Sequence, residues 1–269
     1  MLERLSLDGK VVVITGGGTG LGLAMVRALA RAGASLVIAG RRPGPIDSAA
    51  GEVRNLGREA LAVPTDVSKS DQVNRLMSTA LERFGQIDVL INNAALVSEN
   101  VRKPIWDITD AEWQAAMDVN LNGAFYCSRA VTRHMADRGR GKIINVASGF
   151  GLRGGRDIYT YCCSKGAIIQ LTRVLSFSLA RHGITANTLV PGFIPTQSTD
   201  SDIRASLPPS GDFLPVGKLG RPEDLGPVAV FLASDASDYM TGEMFIVDGG
   251  GLAGGVAPTG HAPLAPLEP

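Results

Sequence analysis

Tyr161 and Lys165 stand four positions apart in Tyr161-Cys162-Cys163-Ser164-Lys165, a spacing that puts both on one face of a helix. Ser148 ends the strand-like run KIINVAS thirteen positions before Tyr161, and Asn120 lies in AMDVNLNGAF, twenty-eight positions before Ser148. These residue types suit proton transfer at an oxygen that gains negative charge. A free tyrosine has a pKa of about 10, so working near pH 7 requires a fall of about three units, roughly 4 kcal/mol. A nearby ammonium pushes in that direction. A serine hydroxyl bonded to the same oxygen stabilises the developing charge. Tyr159 has Cys163 four positions on, and so no lysine partner.

These side chains need a frame. Seven short apolar runs read as buried strands: Val11–Thr15, Leu36–Ala39, Ala60–Val63, Val89–Asn92, Ile143–Ala147, Thr185–Val190 and Phe245–Val247. They are apolar rather than alternating, which suits strands covered on both faces. Helix-length segments lie between them, at 21–32, 46–56, 70–84, 108–137, 158–181 and 222–234. The alternation predicts an α/β fold: a Rossmann-type, doubly wound parallel sheet of about seven strands with helices on both faces, in a single domain. The domain is expected over residues 1–250, with a Gly/Ala/Pro-rich tail over 251–269.

The first strand runs straight into Thr15-Gly16-Gly17-Gly18-Thr19-Gly20-Leu21-Gly22 and then a helical pattern. In that context Gly16 permits the tight turn, Gly20 lets the backbone approach a pyrophosphate, and Gly22 lets helix pack on strand. The helix N-terminus offers free N–H groups to phosphates. No Gly-Lys-Ser/Thr ending follows, which argues against a nucleotide triphosphatase. After the second strand, Gly40 occupies the place where an acidic residue holds the ribose hydroxyls in NAD-binding folds, and Arg41 and Arg42 follow. Two guanidinium groups and no carboxylate suit a 2′-phosphate, so the sequence favours NADP(H), with NAD(H) as the alternative.

Composition narrows the classes. The chain has 269 residues, and 26 Lys+Arg balance 26 Asp+Glu, so there is no electrostatic footprint for nucleic acid or an anionic membrane. The 33 glycines follow no collagen period. No apolar run approaches the length of a membrane span, and MLERLSLDGK lacks the apolar centre of a secretory signal. Cys127, Cys162 and Cys163 read as small buried side chains in a reducing compartment, and the default location is cytoplasmic. His134, His182 and His261 are scattered, so no metal site is expected.

In combination the motifs resemble those of the short-chain dehydrogenase/reductase family, in its single-domain branch of about 250 residues. The resemblance runs over about residues 7–250. It is carried by the TGGGTGLG turn, Asp66 in TDVS, Asn92-Asn93-Ala94-Ala95, Asn120, Ser148, Tyr161 with Lys165, Pro191-Gly192 with Thr196, and Val247-Asp248-Gly249-Gly250. It implies hydride transfer between a nicotinamide and a ketone or secondary alcohol. It implies Tyr161 as acid/base, Lys165 on the nicotinamide ribose, Ser148 on the substrate oxygen, and Asn120 ordering a proton-relay water. Asp66 would contact adenine and Asn93 the adenosine ribose region; Thr196 and the Ile194 backbone would hold the carboxamide. The candidate cofactor contacts are Gly16, Gly18, Thr19, Gly20, Leu21, Gly22, Arg41, Arg42, Asp66, Val67, Asn93, Ala94, Tyr161, Lys165, Pro191, Gly192, Ile194 and Thr196. The resemblance also implies a homo-oligomer, a tetramer or dimer.

Related ketoacyl reductases present arginines to an acidic carrier protein. Phe177 stands at the position that corresponds, with Arg138, Arg140 and Arg173 as possible substitutes. The loops at 96–103, 149–157 and 194–216 are expected around a small-molecule substrate, where Arg153 and Arg156 could meet an anion and Phe150, Leu152 and Phe193 could line an apolar wall. Alternative readings are an NAD-dependent sugar/polyol or hydroxysteroid-type dehydrogenase, an epimerase or dehydratase with a bound cofactor, and a non-catalytic dinucleotide-sensing protein.

Overall fold

Alternate residues of each central strand leave the sheet on opposite faces, and each face has its own apolar layer. Val12, Ile14, Leu36, Ile38, Val89 and Ile91 point one way, while Val11, Val13, Val37, Ala39 and Leu90 point the other. All are at least 95% buried, which is why the runs read as continuous apolar segments rather than as alternating ones.

The computed structural model of the chain describes residues 2–96, 102–196, 211 and 213–254. The rest of the expected tail and much of the 96–103 and 194–216 loops lie outside the described residues. The strands are β1 (Val11–Thr15), β2 (Ser35–Gly40), β3 (Ala60–Pro64), β4 (Val89–Asn92), β5 (Gly141–Val146), β6 (Ile184–Pro191) and β7 (Met244–Val247). They form one sheet in the order β3-β2-β1-β4-β5-β6-β7. Every pairing is parallel. The order reverses between β1 and β4, and the crevice at the carboxyl ends of such a switch point is where this architecture binds ligands.

Helices α1 (Gly20–Arg31) and α2 (Pro43–Asn55) cover one face with α7 (Gly226–Ala233). Helices α3 (Ser70–Phe84), α5 (Gly123–Asp137) and α6 (Tyr159–Leu179) cover the other. Gly85 ends α3 at φ 73° with its N–H on Leu81 O, a left-handed stop that favours glycine.

Three expectations change. The expected helix at 108–137 is interrupted: α4 (Asp110–Met117) passes through a π-helical segment, Asp118–Asn122, before α5 begins. One extra residue per turn there widens the helix, a device that concentrates at functional sites. Of the three cysteines, Cys127 alone is buried, and burial pushes its thiol up to about 12. Leu252, which the sequence assigns to the tail, packs on the cluster of Ile168, Ile169 and Val190.

Candidate active site

The Gly-rich turn is held from both sides. The Gly16 and Gly17 N–H groups donate to Ala39 O at 2.8 and 3.3 Å. Asn93 Nδ2 donates to Thr15 O at 3.0 Å and Gly16 O at 3.1 Å. Thr15 Oγ1 in turn accepts the N–H groups of Asn93 and Ala94, both at 3.1 Å. The Asn93 amide therefore braces the turn, whereas the resemblance gave it a contact in the adenosine ribose region. A Cβ on Gly22 would sit 2.1 Å from Gly16 O, so only glycine lets α1 start this close to the turn. Helix α1 opens with no side-chain cap and no acid in its first turn. Its free N–H groups and positive dipole end suit an anion.

In front of this turn lies a cavity of about 500 Å³. All the cofactor candidates named from the sequence line it, as does Ser148. Arg41 and Arg42 are exposed at its rim, and among the described residues neither makes an ion pair or a side-chain hydrogen bond. A Cβ on Gly40 would meet Ile46 Cγ2 at 2.9 Å, so an acidic side chain there would have to displace Ile46. Asp66 Oδ1 accepts from the Ser68 N–H and hydroxyl at 3.0 and 2.8 Å, which fixes the turn after β3. Gly192 N–H donates to Val247 O at 2.9 Å, and a Cβ on Gly192 would fall 2.5 Å from Asp248. The β6 and β7 ends thus close the cavity together.

The candidate reacting groups gather where β5 ends and α6 begins. Lys165 is 3% exposed, and its Nζ donates to Val146 O at 2.8 Å. That nitrogen lies 5.7 Å from the Tyr161 ring centroid. Burial lowers the Lys165 pKa to about 8, because an ammonium loses its hydration there. Burial also pushes the Tyr161 phenol above its ordinary value, opposed by a hydrogen bond from the Ser148 side. The sequence reading expects the lysine to draw the phenol down; in the protein alone the desolvation of the phenolate is the larger effect. Ser148 is extended, and its Oγ accepts the Phe150 N–H at 3.2 Å, which leaves the hydroxyl proton to donate.

Asn120 is 2% exposed and sits in the π-helical segment, behind the cavity wall rather than on it. Its Oδ1 accepts the Leu96 N–H at 2.6 Å. Its Nδ2 donates to Leu96 O at 3.3 Å and Ser164 Oγ at 3.0 Å. Both amide hydrogens are thereby used, so any water it orders must donate to the second lone pair of Oδ1 or meet its main chain. The side chain ties the loop after β4 to α6.

Several working parts escaped the sequence reading. The Val146 carbonyl, Thr15 and Ser164 act through contacts that no spacing announces. Asn145 links Asn92 Nδ2 (2.8 Å) to Thr172 Oγ1 (2.8 Å) beneath the site, a chain formed only once β4, β5 and α6 are assembled. Among the described residues there is no cluster of His, Cys, Asp and Glu that could hold a metal ion. No helix there is long and apolar enough to cross a membrane.

Comparison with known proteins agrees with this fold. A family profile described as enoyl-(acyl carrier protein) reductase matches residues 16–251. The chain is 38% identical over 258 residues to the 2-dehydro-3-deoxy-D-gluconate 5-dehydrogenase of Escherichia coli (strain K12), covering 94% of this chain and 99% of that one. Among solved structures it is similar to a gluconate 5-dehydrogenase from Burkholderia cenocepacia J2315 in complex with NADP and tartrate. That match has a TM-score of 0.86 and 38% identity, over 95% of this chain and 99% of the other. A short-chain type dehydrogenase/reductase from Mycobacterium marinum matches with a TM-score of 0.87 and 34% identity, over 93% and 98% of the two chains.

Proposed function

The chain belongs to the short-chain dehydrogenase/reductase family, and from that premise we propose that it is an NADP(H)-dependent oxidoreductase acting on a ketone or secondary alcohol, with Tyr161 as acid/base. The observation that carries this reading is the convergence of Tyr161, Lys165 and Ser148 on one cavity whose rim holds two arginines that are unpaired among the described residues.

The residues fit a dinucleotide. A Cβ at Gly16 or Gly22 would strike Ala94 Cα at 2.9 Å or Gly16 O at 2.1 Å, so the turn keeps its shape only with glycine there, and the α1 N-terminus offers donors to a pyrophosphate. Arg41 and Arg42 would hold the 2′-phosphate beside the first turn of α2, which carries no acidic residue. Lys165 would hold the nicotinamide ribose, and Ile194 and Thr196 the carboxamide end. When bound, the cofactor would supply or accept the hydride, and in its oxidised form would add a positive charge beside Tyr161. The Ser148 hydroxyl donates to the substrate oxygen and stabilises its developing charge. Tyr161 gives that oxygen its proton in reduction and removes it in oxidation. The Lys165 ammonium, held on Val146 O, lowers the cost of the phenolate.

A carrier-protein substrate is less well supported. Of the arginines that could replace a docking arginine, Arg138 is paired with Asp88 at 2.9 Å and also bonds Ile87 O and Gln86. Phe177 stands in the corresponding position, 91% exposed. Together with exposed Val174 and Phe125, it supports a homo-oligomer that buries the α5 and α6 faces.

The test is NADPH oxidation over a panel of small ketones, with Tyr161→Phe alongside the wild type. Turnover should vanish in the variant while its NADPH affinity stays nearly unchanged. Full activity in that variant would reject the mechanism.

A further inference from the structure

A cation lies on the substrate side of the site, and nothing in the proposed mechanism uses it. Phe150 follows Ser148 by two positions, and its ring centroid lies 6.4 Å from that of Tyr161. The Arg153 guanidinium sits 5.1 Å over the Phe150 ring and 5.6 Å over the Phe193 ring. These two rings are themselves edge to face, with centroids 6.3 Å apart. Beside Ser148 opens a recess of about 50 Å³, and Arg153 lines it with Phe150, Phe193 and Asp248. The recess shares Ser148, Phe150 and Phe193 with the main cavity, so it is a side chamber of the reaction site.

Stacking on aromatic faces satisfies only the faces of a guanidinium. Its five N–H groups lie around the edge, in the plane that takes a carboxylate bidentately. Among the described residues the Arg153 guanidinium makes no ion pair and no hydrogen bond; the residue's one bond is its backbone N–H on Gly149 O at 3.2 Å. Its charge reaches the Cys162 thiol, the neighbour of Tyr161, and acts to lower that thiol's pKa against burial. Asp248, the carboxylate that shares the recess, accepts the N–H groups of Gly250 and Leu252 at 2.8 and 2.7 Å. Two rings thus hold a half-buried cation with its donor edge unused, one aromatic side chain away from the catalytic phenol.

We infer that Arg153 seats an anionic end of the substrate, and that the substrates are oxo or hydroxy acids whose carboxylate lies several bonds from the reacting carbon. The inference rests on the oxidoreductase reading above and deepens it by naming the substrate class. A single fork matches a carboxylate monoanion. A phosphate dianion would carry a second charge with no further cation in the recess, and would face Asp248.

Binding and turnover test this separately. The NADP-loaded protein is titrated calorimetrically with benzoate, benzamide and phenyl phosphate. Benzoate should bind about tenfold or more tightly than benzamide, the worth of a charge-assisted bidentate pair. Arg153→Ala should remove that preference, Arg153→Lys should restore part of it, and Arg156→Ala should keep it. Equal affinities for benzoate and benzamide in the wild type, or an undiminished preference in Arg153→Ala, would overturn the inference. Tighter binding of phenyl phosphate than of benzoate would overturn the carboxylate assignment. In turnover, the ratio of kcat/KM for 4-oxocyclohexanecarboxylate over its methyl ester should fall about tenfold in Arg153→Ala, through KM; an unchanged ratio overturns the inference. Carboxylate-selective binding with no turnover of any ketone would instead refute the oxidoreductase reading and leave the anion seat standing.

Discussion

Lys165 Nζ donates to the Val146 carbonyl oxygen at 2.8 Å, which fastens α6 to the last residue of β5. The bond holds a cation that burial opposes. Its pKa falls from the ordinary 10.5 to about 8, so the folded state carries a penalty of about 3 kcal/mol wherever the unfolded lysine is charged and the folded one must be too.

The sign of the resulting pH dependence follows from proton counting. Between pH 8 and 10.5 the unfolded chain binds more protons at this site than the folded one, so stability from this group rises with pH across that window. Lys165→Met lacks the penalty. Denaturation midpoints should show its stability advantage over the wild type at pH 7 shrinking as pH approaches 10. A gap that stays constant would contradict a depressed Lys165 pKa.

Arg41→Ala should raise the apparent constant for NADPH roughly 10–100-fold, since a charge-assisted contact to phosphate is worth about 1.5–3 kcal/mol. The constant for NADH should change little. Steady-state kinetics with both cofactors decides this, and equal effects on the two would remove the case for NADP(H).

Gly22→Ala places a methyl 2.1 Å from Gly16 O, which opens the phosphate turn. Strain of roughly 1–3 kcal/mol should weaken NADPH binding about tenfold. Cofactor titration by fluorescence measures it, and unaltered affinity would show that the turn does not touch the cofactor.

Asn145→Ala leaves Asn92 Nδ2 and Thr172 Oγ1 without their buried partner. Asn92 Oδ1 already lacks one, so little slack remains in the chain. The loss should be about 2 kcal/mol, or roughly 4–8 °C in Tm for a chain of this size. Calorimetry of the two proteins would show it; a shift under one degree would mean that water replaces the amide.

The sequence alone determined the sheet, because β-branched runs buried on both faces carry a local signature, and all seven strands fall within two residues of their expected ends. It also determined the phosphate turn, since Gly16, Gly20 and Gly22 are needed by backbone geometry that is local to the strand-turn-helix unit. It placed Tyr161 and Lys165 on one helix face by spacing. The tertiary structure decided the rest. The π-helical segment at Asn120 has no periodicity of its own, and is visible only where its amide meets Leu96 and Ser164. The Lys165 anchor is a carbonyl, which no residue type encodes. The state of Tyr161 depends on burial, which raises its pKa against the Ser148 hydrogen bond and which spacing does not reveal. The sequence offers Arg153 and Arg156 alike as loop cations that could meet an anion; Arg153 is set apart only when Phe150 and Phe193, forty-three positions apart, are brought together beneath it.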